Sequence, residues 1–327
     1  MKMQVRAIAD AANDQAAQGR DPGAPLPVRA SDGILLGARL FANPAAKARL
    51  VVSHGNGLAS FGYRVFWENL RKDFELVVVD VRGHGMSEPG AAGHHHWPQF
   101  VADLETLRDT LAQQLDPRPT FGAFHSLSAV ASLLQSHHHG RRWDGLVLFD
   151  PPLAPPAGHP LRRAHERDVE MLVEGALRRR PSFAHPAELA GRFARPEIFG
   201  AWEDPAPMDM ACATLRPDSD SQEWVLACAP DREAFVFRTN MDERAWEAML
   251  APPCPIHIIA SDPHAPQPGA PALTSLAAHQ EAGVSYDAIA GTGHFLQLEQ
   301  PGQCRAALRR FIASCGQAAM MNPVQTT

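Results

Sequence analysis

Three side chains far apart in the chain have the types that acyl transfer needs: a hydroxyl, an imidazole and a carboxylate. Ser126 lies in Thr120–Val130 (TFGAFHSLSAV), where an apolar β-type run stops at His125-Ser126 and a small-residue helical pattern begins. A strand-turn-helix elbow of this kind lifts a serine hydroxyl clear of a sheet edge and leaves the next N–H free to meet an oxyanion. A serine needs a base to take its proton, and the base needs a partner that fixes its tautomer. His294, in Gly291-Thr292-Gly293-His294-Phe295, follows the last expected strand, and its glycines let a loop fold over the sheet edge. Asp262 ends the run IHIIASD, so its carboxylate should emerge at the same edge, and the chain order Ser126, Asp262, His294 suits a triad on a parallel sheet. Taken singly, each residue has a plainer explanation: a serine after a strand caps a helix, and an aspartate before Pro263 forms a turn. Asp150 also ends a strand and is the alternative acid, but Pro151-Pro152 after it read as a rigid exit from the sheet, so Asp262 is the expected partner.

A second loop fits the same chemistry. His54-Gly55-Asn56-Gly57 follows a buried strand, and its glycines would let a backbone N–H face the serine. Asn56 is the expected donor, paired with the N–H of Leu127; one such donor is typically worth ~10²–10³ in turnover.

These residues must be positioned by strands and helices that the hydrophobic pattern locates. Leu26–Phe41 reads as a hairpin turning at Asp32-Gly33, and Arg49–Ser53, Phe74–Val79, the elbow strand, Leu146–Phe149, Ile256–Ala260 and Val284–Ile289 read as further strands. Helical spacing fills the gaps, clearest over Gln99–Leu115, where Val101, Leu104, Leu107 and Leu111 share a face. Short strands alternating with helices predict a parallel sheet covered on both faces, with ligands beyond the carboxyl ends of its strands. From Pro151 to about Leu250 the alternation stops in favour of prolines, tryptophans and helical patches such as Arg162–Arg178, which predicts an inserted helical cap. The expected organisation is therefore a first part of the core over residues 1–150 with a loose leader over 1–25, a cap over 151–250, and a second part of the core over 251–327.

HGNG after the first buried strand, DVRGHGMS after the second, HS at the elbow, SD after the late strand and GTGHF near the end together resemble the α/β-hydrolase fold superfamily. The resemblance covers about Pro27 to Ala313. It implies an α/β fold with an eight-stranded, mostly parallel sheet, a cap after the sixth strand, and acyl-enzyme chemistry. It makes Ser126 the nucleophile, His294 the base, Asp262 the orienting acid, and Asn56 and Leu127 the oxyanion donors, while Asp80, Arg82 and His84 are structural. Phe124 and Ser128 stand where the G-x-S-x-G elbow has glycines. Superfamily members that cleave haloalkanes or epoxides use an aspartate nucleophile, which the serine here argues against. The expected activity is hydrolysis of a small or medium carboxylic ester. Arg162, Arg163 and Arg167 in the cap hint at a monoester of an aromatic or dicarboxylic acid. C–C bond, thioester or lactone hydrolysis with the same residues, and a non-catalytic binding protein, are the alternatives. A histidine base must start neutral, so activity should fall as pH drops through about 6.5.

Composition limits the partners. Of 327 residues 45% are apolar, and Lys+Arg 30 against Asp+Glu 36 leave a net charge of −6, with no basic excess to attract nucleic acid. The five cysteines are scattered and lack a C-x-x-C pair, so neither disulfides nor a structural zinc site is expected. His94-His95-His96 and His137-His138-His139 could suggest a metal, but consecutive histidines point in different directions and no carboxylate pattern accompanies them. No cofactor and no metal are expected. No long apolar run predicts a membrane span and no secretory signal is apparent, so a cytoplasmic protein is expected, with a homo-oligomer left open.

Overall fold

The computed structural model describes residues 21–321. Eight strands form the main sheet: β1 (Ala24–Arg29), β2 (Leu35–Phe41), β3 (Arg49–Ser53), β4 (Glu75–Val79), β5 (Thr120–His125), β6 (Gly145–Phe149), and, after an insert that holds β7 to β9, β10 (Ile256–Ala260) and β11 (Ser285–Ala288). Their order is β1-β2-β4-β3-β5-β6-β10-β11. The β1/β2 and β2/β4 pairs are antiparallel and every other pair is parallel.

Side chains of a strand alternate between faces, and here both faces are buried. Leu50 and Val52 of β3, Leu76 and Val78 of β4, and Val147 and Phe149 of β6 join one apolar core. Val51, Val77, Leu146 and Leu148 join the other. Helices Trp97–Gln114 and Leu127–His139 cover the second face, and the C-terminal helix Pro301–Met321, longer than its sequence pattern suggests, packs on the first.

Two readings are corrected. The first strand starts at Ala24, inside the stretch taken as leader; Pro25 and Pro27 disguised it, and an edge strand is where prolines are tolerated. The rest of that leader, through residue 20, lies outside the described residues. The segment from 151 to 250 is inserted between β6 and β10, but it is not purely helical: β7 (Ser182–Phe183), β8 (Leu215–Pro217) and β9 (Trp224–Leu226) form a small antiparallel sheet within it. Helix Arg162–Leu177 packs on Pro230–Thr239, and Arg244–Leu250 anchors the insert on Leu127–His139.

At the elbow, Phe124 in place of the motif's glycine is accommodated by close packing. A Cβ on Gly122 would come within 2.3 Å of the Phe124 ring, so the small residue that makes room stands two positions earlier on the same face. Phe124 then packs edge-on against Trp143 at 5.1 Å. The Ser128 hydroxyl accepts from the His125 N–H and donates to its carbonyl, both at 3.0 Å, closing the turn as no glycine could.

Candidate active site

Ser126 occupies the strained turn between β5 and the following helix, with φ 52° and ψ −110°. Such a conformation costs of order 1–3 kcal/mol and persists only where surrounding contacts enforce it. Its N–H donates to the Phe149 carbonyl at 3.0 Å, which ties the elbow to the end of β6. The hydroxyl lies 3.1 Å from His294 Nε2, and His294 Nδ1 lies 2.7 Å from Asp150 Oδ2. Hydroxyl, imidazole and carboxylate thus form one hydrogen-bonded line. For a neutral imidazole, Nδ1–H donates to the carboxylate and Nε2 is left to accept from the serine.

The carboxylate in that line is Asp150, not Asp262. Asp150 is fully buried at the end of β6, with a positive φ of 45° that turns the chain sharply. Its N–H donates to Ile259 O at 2.9 Å, and its Oδ1 accepts from the Ser261 N–H and hydroxyl, both at 3.0 Å. The two prolines mark a rigid exit, as the sequence suggested, and that exit is what aims the carboxylate. Asp262 instead accepts from the N–H groups of His264 at 2.9 Å and Gly291 at 2.8 Å. These backbone donors, Gly291 first, hold its carboxyl below the usual carboxylate range. It is a turn former that anchors the loop carrying His294.

That loop is pinned at two more points. Glu299 accepts from the Gly293 N–H at 3.1 Å, and the His294 carbonyl lies 2.9 Å from His125 Nε2. A carbonyl only accepts, so Nε2 carries the His125 proton and Nδ1 must accept from the Tyr63 hydroxyl at 2.7 Å. Burial, followed by the neighbouring His294, pushes the His125 imidazole well below its ordinary range, in keeping with this neutral form. A buried chain therefore runs from Tyr63 through His125 to the backbone of His294. Sequence patterns gave no sign of Tyr63 or Glu299, and Ser261 and His125 were visible only as neighbours of Asp262 and Ser126.

The turn at His54–Gly57 is fixed group by group. His54 Nδ1 donates to Gly55 O at 2.7 Å, the Gly57 N–H donates to His84 Nε2 at 3.0 Å, and Arg179 Nη1 reaches Gly57 O at 3.4 Å. The Asn56 side-chain amide donates to the Glu233 carbonyl at 2.9 Å. Among the described residues the backbone N–H of Asn56 has no partner, and Leu127, as first residue of its helix, leaves its N–H free in the same way. Asp80 holds the neighbouring loop through the N–H groups of Ser60 and Met86, and Arg82 forks onto Asp103 at 2.6 Å, so both act structurally.

Ser126, His294 and Asn56 border a cavity of about 620 Å³ between the sheet edge and the insert. Arg162, bonded to Glu166 at 2.9 Å, Glu243 at 3.0 Å and the Pro155 carbonyl, is not among its walls, nor are Arg163 and Arg167.

The histidine triplets disperse. His94 faces Asp32 at 2.9 Å, His95 stacks on His84, and His96 caps a helix by accepting from the Gln99 N–H. His137, His138 and His139 face Glu247, Arg244 and Glu105 respectively. His84, His95 and Cys228 do bring ligand-type atoms within 4.8 Å of one another. Both His84 nitrogens are already engaged, by Arg82 O and the Gly57 N–H, so that donor set does not fit a metal without undoing the turn at Gly57. No helix among the described residues is long and apolar enough to cross a membrane.

Known proteins resemble the chain mainly in structure. The serine aminopeptidase family model matches residues 44–182, less than half of the chain. No curated protein sequence matches. Among solved structures, an E-2-(acetamidomethylene)succinate hydrolase superimposes with a TM-score of 0.71 at 18% identity, over 89% of this chain and 100% of that one. An esterase from Exiguobacterium antarcticum gives 0.67 at 17% identity, over 89% and 100%. A thioesterase domain from the curacin biosynthetic pathway gives 0.64 at 14% identity, over 85% and 96%. With the strand order and the elbow geometry, these similarities show that the chain has the α/β-hydrolase fold.

Proposed function

We propose that the chain is a serine hydrolase that cleaves a carboxylic ester through an acyl-enzyme intermediate. The observation that carries this reading is the unbroken line from Asp150 through His294 to the strained Ser126 at the wall of a closed-over cavity. His294 takes the Ser126 proton as the oxygen attacks the carbonyl, and the unpartnered N–H groups of Asn56 and Leu127 receive the oxyanion. Asp150 holds the imidazole in the tautomer that accepts at Nε2 and balances its charge once protonated. His294 then returns the proton to the departing alcohol, and water repeats the sequence to release the acid. The insert over 151–250 serves as the cap that excludes bulk water.

A fluorophosphonate probe should label Ser126, and p-nitrophenyl esters should be hydrolysed. Ser126→Ala should abolish labelling and lower turnover by at least ~10³, with the fold retained by circular dichroism. An intact, folded chain that is not labelled would favour a ligand-binding protein instead. Thioester or C–C bond hydrolysis is open to the same residues, and the resemblance to a thioesterase domain gives the former a specific reason. Acyl-CoA, ring-cleavage diketones and aminoacyl p-nitroanilides assayed beside the esters separate these activities by their relative kcat/KM.

A further inference from the structure

The cavity's walls define what part of a substrate it accepts. Val169, Leu172, Phe183, Phe193, Phe199 and Phe295 line it, and Phe295 packs on Phe199 at 5.8 Å and lies 5.4 Å from the His294 ring, so the apolar wall begins beside the base. Exposed large apolar side chains are few, yet Met171, Ile198 and Leu273 among them all border this cavity and make its rim apolar as well. A cluster of apolar side chains left facing water at a cavity mouth marks a place where apolar ligand enters.

The charged groups of the lining argue against an anionic substrate. Three arginines and two carboxylates line the cavity, Arg179, Arg180 and Arg192 against Asp168 and Glu233, so the formal excess is one positive charge. Arg179 is bound to Glu233 at 2.5 Å, and Arg180 to Glu188 at 2.7 Å and to the Ser182 carbonyl at 2.6 Å. A substrate carboxylate reaching Arg179 would have to displace Glu233, whose carboxylate would then be left buried and unpaired. Those two pairs leave Asp168 and Arg192, of opposite sign, and Arg192 is exposed to solvent, where an added ion pair contributes little.

We propose that the substrate is an uncharged ester of medium length whose apolar portion, alkyl or aryl, fills the cavity beneath helix Arg162–Leu177. This rests on the hydrolase reading above. The volume lies in the middle of the roughly 300–1,000 Å³ of pockets that enclose drug-sized ligands and far exceeds what an acetyl group fills.

The test is a series of p-nitrophenyl esters from acetate to dodecanoate, with mono-p-nitrophenyl adipate as the carboxylated counterpart of the hexanoate. Ethyl and octyl fluorophosphonates are used alongside to label Ser126. The proposal expects kcat/KM to rise about three- to fourfold per methylene over several carbons before levelling. It also expects the adipate to be at least tenfold poorer than the hexanoate, and the octyl probe to label faster than the ethyl one. Leu172→Trp, which fills part of the cavity, should move the optimum to shorter chains. A flat profile with Ser126 still labelled overturns the substrate inference and leaves the hydrolase reading standing. Preference for the adipate, lost in Arg192→Ala, overturns it likewise. Absence of both labelling and hydrolysis overturns the two together.

Discussion

Asp150 and Asp262 are both aspartates at the ends of neighbouring strands, and only one of them touches the imidazole of His294. Asp150→Asn should lower kcat by about 10⁴, as expected when the acceptor that fixes the base's tautomer becomes an amide. Asp262→Asn removes a carboxylate from two backbone donors in a turn, so it should change turnover by less than about tenfold; the reverse ranking of the two variants would refute the assignment. Ser126 and His294, which lie 3.1 Å apart, could be picked out because each sets a side chain able to move a proton in a loop that follows a strand. Which aspartate completes the line was not legible, because the choice depends on the pairing of β6 with β10, which brings Ser261 onto Asp150 and leaves Asp262 facing the Gly291 turn. Tyr63 was hidden for a similar reason: its hydroxyl reaches His125 from 62 residues away. Tyr63→Phe leaves the buried His125 Nδ1 acceptor without its partner, so kcat should fall about tenfold or more with KM little changed. Equal kcat for the variant and the parent would show that this buried chain does not position the site.

Turns and strands set the tolerances within which those side chains work. A Cβ at Gly55 would lie 2.9 Å from His125 Nδ1 and 3.1 Å from Ser126 Cβ, so the turn bearing Asn56 approaches the elbow as closely as two backbones with one missing side chain permit. Gly55→Ala should therefore push the Asn56 N–H away from the serine and cost about 10² or more in kcat, comparable to loss of one oxyanion donor. A variant that folds and turns over normally would exclude Asn56 from that role. The inner strands β3, β4, β5, β6 and β10 could be found from their apolar runs because both faces are buried. The three short strands of the insert could not, since pieces of two or three residues carry no period, and the prolines around them read as loop. The elbow shows the same limit from another side: Phe124 departs from the expected glycine, and Gly122, which compensates, lies outside the motif.

At the scale of the whole molecule, the number of imidazoles sealed inside the core governs the response to acid. Burial pushes His54, His84 and His125 below their ordinary value, the last two well below, and lowers His95 to about 4. A base whose folded value is depressed stays neutral in the fold while the unfolded chain takes up a proton. Its contribution is thus fully present above about pH 6.5 and is lost as pH falls toward the folded value, at up to ~1.4 kcal/mol per pH unit for each histidine. Glu299 and Asp103, raised by burial, act in the opposite sense, and the carboxyls of Asp21, Asp32 and Asp262, held low, begin to count only below about 4. The thermal midpoint should therefore drop between pH 7 and pH 5, and a midpoint constant over that interval would contradict it. The same architecture has a consequence for synthesis. Ser126 and Asp150 are made early, and His294 follows 144 residues after Asp150, beyond the whole insert and on the far side of β10. A ribosome-bound chain that has reached only the insert presents β6 as a bare edge and a serine without its imidazole, so the proposed hydrolytic competence arrives all at once, with the last quarter of the polypeptide.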